Sequence, residues 1–239
     1  MLGYPFKVNR NSNWEILVSV IVQTNIQMVI QRFFVNPFQE ACYVVSQAQG
    51  MKAGECLIID CGAYYPEEEA AISKYIETSG LRPIAHLLTH AHLDHLFGAR
   101  FVFETWGLRP IVDDADESLF SNVEQQAQMF GLPLMREPLC EHLTMVALPL
   151  FVKVIHTPGH TQGSVCYLLS DAEEGAEVLF SGDTLFQSGV GRTDLPGGNY
   201  GQLMQSLSRL MTLHPRTKVL PGHGGQTTIE QEKDDNPYL

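Results

Sequence analysis

Residues 89 to 95 read Thr89-His90-Ala91-His92-Leu93-Asp94-His95, which places three imidazoles and a carboxylate within six positions. Imidazole nitrogens and carboxylate oxygens are the donors that zinc, iron and manganese accept. A core has no apolar use for protonatable groups at that density, so the segment points to metal binding. His90 and His92 are two residues apart. On a helix they would face opposite sides, so a shared ion demands an extended segment or loop. The apolar run Ile84–Leu88 supplies a strand that ends just before them, and Asp94 and His95 fall at the start of the next helix. The segment thus splits into His90 with His92 and Asp94 with His95. Neither pair fills the roughly four positions of a zinc ion, so other donors must come from elsewhere.

Three downstream positions offer them. His160 lies in His156-Thr157-Pro158-Gly159-His160-Thr161, Asp183 in Ser181-Gly182-Asp183-Thr184, and His223 in Pro221-Gly222-His223-Gly224. Each follows an apolar run and sits beside glycine, the place where α/β folds put their sites. A lone His or Asp there is also compatible with a core hydrogen bond or a turn, and the residues by themselves leave both readings open. His86, His142, His156 and His214 are read as hydrogen-bonded core groups, and Asp60 in Asp60-Cys61-Gly62 as a turn or cap residue.

The elements that must position these groups follow from periodicity. Strands are expected at Val29–Val35, Cys42–Ser46, Glu55–Asp60, Ile84–Thr89, Pro110–Val112, Leu143–Leu148, Phe151–His156, Ser164–Leu169, Glu177–Ser181 and Lys218–Leu220. Helices are expected from Pro66 to Gly80, Asp94 to Trp106, Asp114 to Phe130 and Tyr200 to Leu213. Strands come first, then β–α alternation, then strands and β–α again. Two sheets sandwiched between helices accommodate that order.

The chain has 239 residues, 44% of them hydrophobic and 18% charged, as expected for one globular α/β domain with a sizeable core. Its formal net charge of −12 repels nucleic acid and anionic membrane surfaces, and neither is expected as a partner. The five cysteines form no CxxC pair, which argues against a disulfide framework and a Cys-based zinc site and fits a reducing cytoplasm. Residues 1–27 read as an N-terminal extension or leader outside the core. Their apolar run Ile16–Val22 is too short to span a bilayer and no small-x-small cleavage site follows it. Residues 28–239 form the expected domain.

Taken together, Thr-His-x-His-x-Asp-His, Thr-Pro-Gly-His-Thr, Ser-Gly-Asp-Thr-Leu-Phe and Pro-Gly-His-Gly resemble the metallo-β-lactamase-fold metallohydrolases from about Val29 onward. The likeness is greatest to the glyoxalase II-like branch, through Gly182-Asp183-Thr184-Leu185-Phe186 and Gly189-x-Gly191-Arg192. The resemblance implies an α/β fold built as a four-layer αββα sandwich. It implies two divalent metal ions, zinc first and iron or manganese as alternatives. One would be held by His90, His92, His160 and Asp183, the other by Asp94, His95, His223 and Asp183, with Asp183 bridging. Asp94 would also orient the nucleophile, and Asp60 would orient a ligand histidine. A bridging Asp183 speaks against a true β-lactamase. The implied reaction is hydrolysis of a small-molecule thioester such as S-lactoylglutathione by a hydroxide held between the metals.

Two features depart from glyoxalase II. Only residues 224–239 follow His223, so the resemblance is to the short single-domain members of the branch. The lysine and tyrosine that bind substrate near the Gly-x-Gly turn are here Arg192 and Asp194. Arg192 keeps a charge that can bind a substrate carboxylate, whereas Asp194 cannot replace the tyrosine. Gly191-Arg192-Thr193-Asp194 is also similar to the persulfide dioxygenases, which bind a single iron. That reaction is the main alternative, with lactone or phosphodiester hydrolysis also open to this scaffold.

Overall fold

A computed structural model describes residues 28–47, 54–132, 140–149, 151–170 and 177–239. The proposed leader, residues 1–27, lies outside the described residues. The first sheet holds β1 (Met28–Val35), β2 (Glu40–Gln47), β3 (Glu55–Ile59), β4 (Arg82–Leu87), β5 (Pro110–Val112) and β6 (Glu141–His142), in that order. Pairing is antiparallel from β1 to β3 and parallel from β3 to β6. The second sheet is built from β7 (Val152–His156), β8 (Val165–Ser170), β9 (Glu177–Gly182), β12 (Lys218–Pro221) and β13 (Thr227–Thr228). Its order is β13-β12-β9-β8-β7, with β9 and β12 parallel. A small hairpin, β10 (Leu185–Phe186) and β11 (Gly189–Val190), follows β9.

Side-chain alternation sets the layers. In β8, Val165, Tyr167 and Leu169 face a core shared with Tyr43, Leu57 and Phe180, while Cys166 and Leu168 face the other way. The Tyr43 and Phe180 rings meet edge to face at 5.1 Å across the two sheets. On the outer side of the second sheet, helix α6 (Tyr200–Leu210) buries Leu203, Leu207 and Leu210 against Cys166, Leu168 and Leu179. Each such burial contributes about 1.5–3 kcal/mol. Helices α1 (Pro66–Thr78) and α3 (Ala99–Trp106) bring Ile72, Ile76, Phe101 and Val102 to the first sheet. The result is the expected αββα sandwich. Among the described residues, no helix is long and apolar enough to cross a membrane.

Three expected elements differ. The helix expected from Asp94 to Trp106 is two, α2 (Leu93–Leu96) and α3, parted at Phe97-Gly98. Gly98 donates to the Cys61 carbonyl at 2.9 Å, and a Cβ there would stand 2.7 Å from that oxygen and from Cys61 Sγ. The helix expected from Asp114 to Phe130 is a 3₁₀ turn (Asp114–Asp116), then α4 (Glu117–Ser121) and α5 (Val123–Met129). Asn122 parts these two helices by turning its amide back onto the Ser118 carbonyl, a competition with backbone pairing usual for this residue. The strand expected at Leu143–Leu148 is a 3₁₀ turn over Leu143–Met145. Leu143 and Val146 both reach the core. Residues three apart do that in a turn, whereas a strand puts them on opposite faces. The last helix, α7 (Ile229–Asp235), has no counterpart in the expected elements.

Candidate metal centre

The site forms where strands of both sheets end. β3 delivers Asp60, β4 the segment 88–95, the β7–β8 loop His160, β9 Asp183 and β12 His223. Backbone bonds lock these ends together: Asp60 N to Leu87 O at 2.9 Å, Val165 N to Thr89 O at 2.8 Å, and Gly222 N to Gly182 O at 2.9 Å. Ala41 N also donates to Gly222 O at 2.8 Å, joining the two sheets beside His223.

The 90–95 segment divides where its spacing implies. His92 is extended (φ −74°, ψ 149°) and caps α2, whose first turn carries Asp94 and His95. Donor atoms of His90, His92 and His160 lie within 4.8 Å of one another, as do those of Asp94, His95 and His223. Asp183 stands between the two sets. One of its oxygens is 3.5 Å from His95 Nε2, and the other is 3.6 Å from both His160 Nε2 and His223 Nε2. Gly222 makes room for it, since a Cβ there would sit 2.4 Å from the Asp183 carboxylate.

Partners on the far side of each ring select the nitrogen that faces inward. His160 Nδ1 donates to Arg192 O at 2.8 Å, and His223 Nδ1 to Phe38 O at 3.1 Å, which leaves each Nε2 a lone pair. Asp60 serves two of the candidate ligands. Its carboxylate lies 3.1 Å from His95 Nδ1 and accepts the Thr89 hydroxyl at 2.7 Å. With that proton committed, the Thr89 oxygen can accept from His90 Nδ1 at 3.1 Å. Asp60 adopts φ 49°, a left-handed conformation that aspartate tolerates better than most residues.

These donors fit divalent cations. Among the described residues at the centre, His90 Nε2, His92 Nε2, His95 Nε2 and Asp183 Oδ1 are buried without a hydrogen-bond partner. Buried polar groups are normally satisfied, so a cluster of orphans marks a site for a cation. His92 Nδ1 and His160 Nε2 face each other at 2.8 Å, a separation that two lone pairs sustain only around a cation or a shared proton. Burial and the neighbouring His160 lower His92 to about 3, so its lone pair is free at neutral pH. His95 goes the other way. Burial opposes its protonation, but Asp60, Asp94 and Asp183 outweigh this and hold its pKa well above the ordinary value. Metal-free protein at pH 7 should therefore carry a proton on His95 that a cation at Nε2 must displace. Zinc added to the metal-free protein in a weakly buffered indicator dye should acidify the solution; loading without proton release would refute this.

Several polar residues here gave no signal in the sequence. Asp116 is fully buried, and its carboxylate accepts from Ala91 N (2.9 Å), Gly163 N (2.7 Å) and Thr161 Oγ1 (2.8 Å). It ties the turn carrying His90 and His92 to the one carrying His160. Glu40, also fully buried, accepts from Gly62 N at 3.2 Å and has an oxygen 3.8 Å from His95 Nδ1. Asp116 lies in the acidic run Asp113-Asp114-Ala115-Asp116-Glu117 and Glu40 follows Gln39, so neither stands out in sequence and only their burial reveals their roles.

Of the histidines read as core groups, His86 is one: Cys61 N donates to it at 3.3 Å, and burial lowers it to about 3. His142, His156 and His214 are corrections. The first two lie at strand ends and pair with Asp114 (3.3 Å) and Asp113 (3.2 Å) while remaining partly exposed. The third is exposed in a loop and accepts from Arg216 N. A cavity of about 210 Å³ opens over the centre, with His92, Asp94, His160, Asp183 and His223 at its floor and Phe38, Phe130, Leu195 and Arg192 as walls. Arg192 reaches the cavity, but its guanidinium is engaged by Asp194 through two 2.7 Å bonds.

A two-sheet sandwich with His and Asp donors gathered at one edge defines a metallohydrolase class. Residues 35–223 match the family described as the Metallo-beta-lactamase superfamily. The chain is 36% identical over 224 residues to hydroxyacylglutathione hydrolase GloC of Haemophilus influenzae, covering 89% of this chain and 98% of that one. Two solved structures are also similar. TTHA1623 in a di-iron-bound form is 36% identical with a TM-score of 0.75, covering 87% of this chain and 100% of that one. BLEG-1, described as a B3 metallo-beta-lactamase, is 33% identical with a TM-score of 0.76, covering 88% and 99%. The chain belongs to the metallo-β-lactamase superfamily and is a metal-dependent hydrolase of it.

Proposed function

We propose that the chain is a glyoxalase II-like thioesterase that uses two divalent ions, preferentially zinc, to cleave small S-acyl thiols of the S-lactoylglutathione type. The observation that carries the two-ion part is Asp183, whose carboxylate lies within 3.6 Å of ring nitrogens from both histidine sets. Likeness to a hydroxyacylglutathione hydrolase over nearly its whole length supports the thioester part. When bound, the metals supply Lewis acidity and a water that ionises near neutral pH. The chain does the rest. His90, His92, His160 and Asp183 would hold one ion; Asp94, His95, His223 and Asp183 would hold the other. Asp94 is at the cavity floor, 3.1 Å from His223 Nε2, and orients the attacking water. Phe38 and Phe130, edge to face at 5.3 Å, shield the substrate from solvent. A thiolate leaves with little need for a proton donor, because thiols ionise near pH ~8.5. Cys166 is not a nucleophile: it is fully buried, and burial pushes its thiol up to about 11.

Metal analysis of the protein as purified, followed by a thioester screen with that metal, tests this reading. The expected outcome is two ions per chain and turnover of S-lactoylglutathione or a simpler thioester. One iron per chain with oxygen uptake on a persulfide would replace it with the dioxygenase reading. Asp183 speaks against a β-lactamase, and the likeness to BLEG-1 is the observation on the other side, for a β-lactam amide as a second hydrolytic substrate. Turnover of a chromogenic cephalosporin without thioester cleavage would establish that one instead.

A further inference from the structure

Arg192 is the one Arg or Lys among the described residues lining the cavity. Its Nε and NH2 donate to the two Asp194 oxygens at 2.7 Å each, the fork geometry that arginine offers a substrate carboxylate. Asp194, wholly exposed, is held down to about 2 by this arginine, so the pair stays ionised and has no net charge. Its position is tied to the centre: Arg192 O accepts from His160, and Gly191 N donates to Thr184 O at 3.3 Å beside Asp183. Gly191 can take no side chain there, because a Cβ would lie 1.9 Å from Asp183 O. The other walls, Phe38, Phe130 and Leu195, are apolar. The chain as a whole carries −12, which slows the approach of anions.

We propose that Asp194 is a specificity-determining residue: it occupies the Arg192 fork as an internal stand-in for a substrate carboxylate, so that among small S-acyl thiols the cavity favours those whose thiol half is uncharged over S-lactoylglutathione itself. A carboxylate arriving at this wall must displace Asp194 before it gains the arginine. This rests on the thioesterase reading for its substrate class, but the charge selection is a binding property that can be measured without catalysis.

The test uses a non-hydrolysable thioether, S-hexylglutathione, and the same peptide with both carboxyls amidated, titrated against the metal-loaded enzyme. Native protein should bind the amidated peptide at least as tightly as the acid. In Asp194→Asn the ratio should move toward the acid by roughly two- to five-fold, the range of an exposed ion pair, and 0.5 M salt should abolish the gain. Adding Arg192→Ala to that variant should return the ratio to the native value. A native preference for the acid, an unchanged ratio in Asp194→Asn, persistence of the gain without Arg192, or binding of neither peptide would each overturn the proposal. If the binding behaves as expected while no thioester is hydrolysed, the thioesterase reading fails and the charge selection stands.

Discussion

Replacing Asp183 with alanine should abolish hydrolysis, lowering kcat/KM by on the order of a thousand-fold or more, and should cost at least one bound ion per chain. Among the described residues, this carboxylate alone lies beside His95, His160 and His223 together. Although burial disfavours its charge, the three histidines hold its pKa well below the usual carboxylate range. It is therefore ionised throughout the working pH range and would offer an oxygen to each cation. Without it the two sets of donors have no common ligand, and the positive charge above them is no longer offset. Asp183→Asn keeps the size and removes the charge, so it should fail almost as completely. Metal content by elemental analysis, with thioester kinetics on the same sample, decides the matter. Two ions retained and activity within tenfold of native would sink the bridging role. The sign of the acid response follows from the same depressed pKa. In metal-free protein its stabilising contribution is complete above the ordinary aspartate pKa of ~3.9 and is lost as pH falls toward the depressed value.

Asp116→Ala should have the largest effect of any change that touches no proposed ligand. It would strand the Ala91 and Gly163 amides, now bonded to one buried carboxylate, and leave the Thr161 hydroxyl only its 2.7 Å partner Ser164 Oγ. A buried donor left unpaired costs about 1–3 kcal/mol, so a loss of roughly 3–5 kcal/mol is expected for the group, less than full additivity because water can enter. The turns carrying His90, His92 and His160 would lose their common anchor, and affinity for the ion they hold should fall about 10- to 100-fold. Urea melts of metal-free protein report the first effect, and competition with a chelating dye the second. Asp116→Asn keeps one acceptor oxygen and should recover part of both. Native stability and native metal affinity in Asp116→Ala would show that the two turns are held without it.

The proposed ligands within residues 90–95 were legible because metal chemistry is local. His90, His92, Asp94 and His95 are adjacent in sequence, and the strand-to-helix change between them follows from an apolar run that stops at Leu88. His160, Asp183 and His223 sit beside glycines, but their residues alone left a core or turn role open and the resemblance chose them; Gly222 and Gly182 are steric necessities. A Cβ at Gly222 would meet Asp183, and one at Gly182 would come within 2.3 Å of Thr89 Oγ1. The supporting residues were harder. Asp60 was legible through the resemblance, but Glu40 and Asp116 were not. Their partners are backbone amides at Gly62, Ala91 and Gly163, which carry no side-chain signature. The broken helices at Gly98 and Asn122 were missed for a related reason. Apolar periodicity continues across both breaks, and what ends each helix is a contact with Cys61 in one case and a side chain folded back on its own helix in the other.

The sequence by itself pointed to metal binding at residues 90–95 and to the alternation of strands and helices that sets them at a strand end, while His160, Asp183 and His223 joined the proposed ligands through the family resemblance. Those properties depend on residue type and short-range period, and each is written in a few consecutive positions. Only the tertiary structure decided that Asp183 lies between both histidine sets, that Asp60 serves His95 directly and His90 through Thr89, and that Asp194 occupies the Arg192 fork. Each depends on separations of a few ångströms, fixed by how the ends of β3, β4, β9 and β12 meet across two packed sheets. No local pattern encodes those separations, because they result from the packing of the whole core.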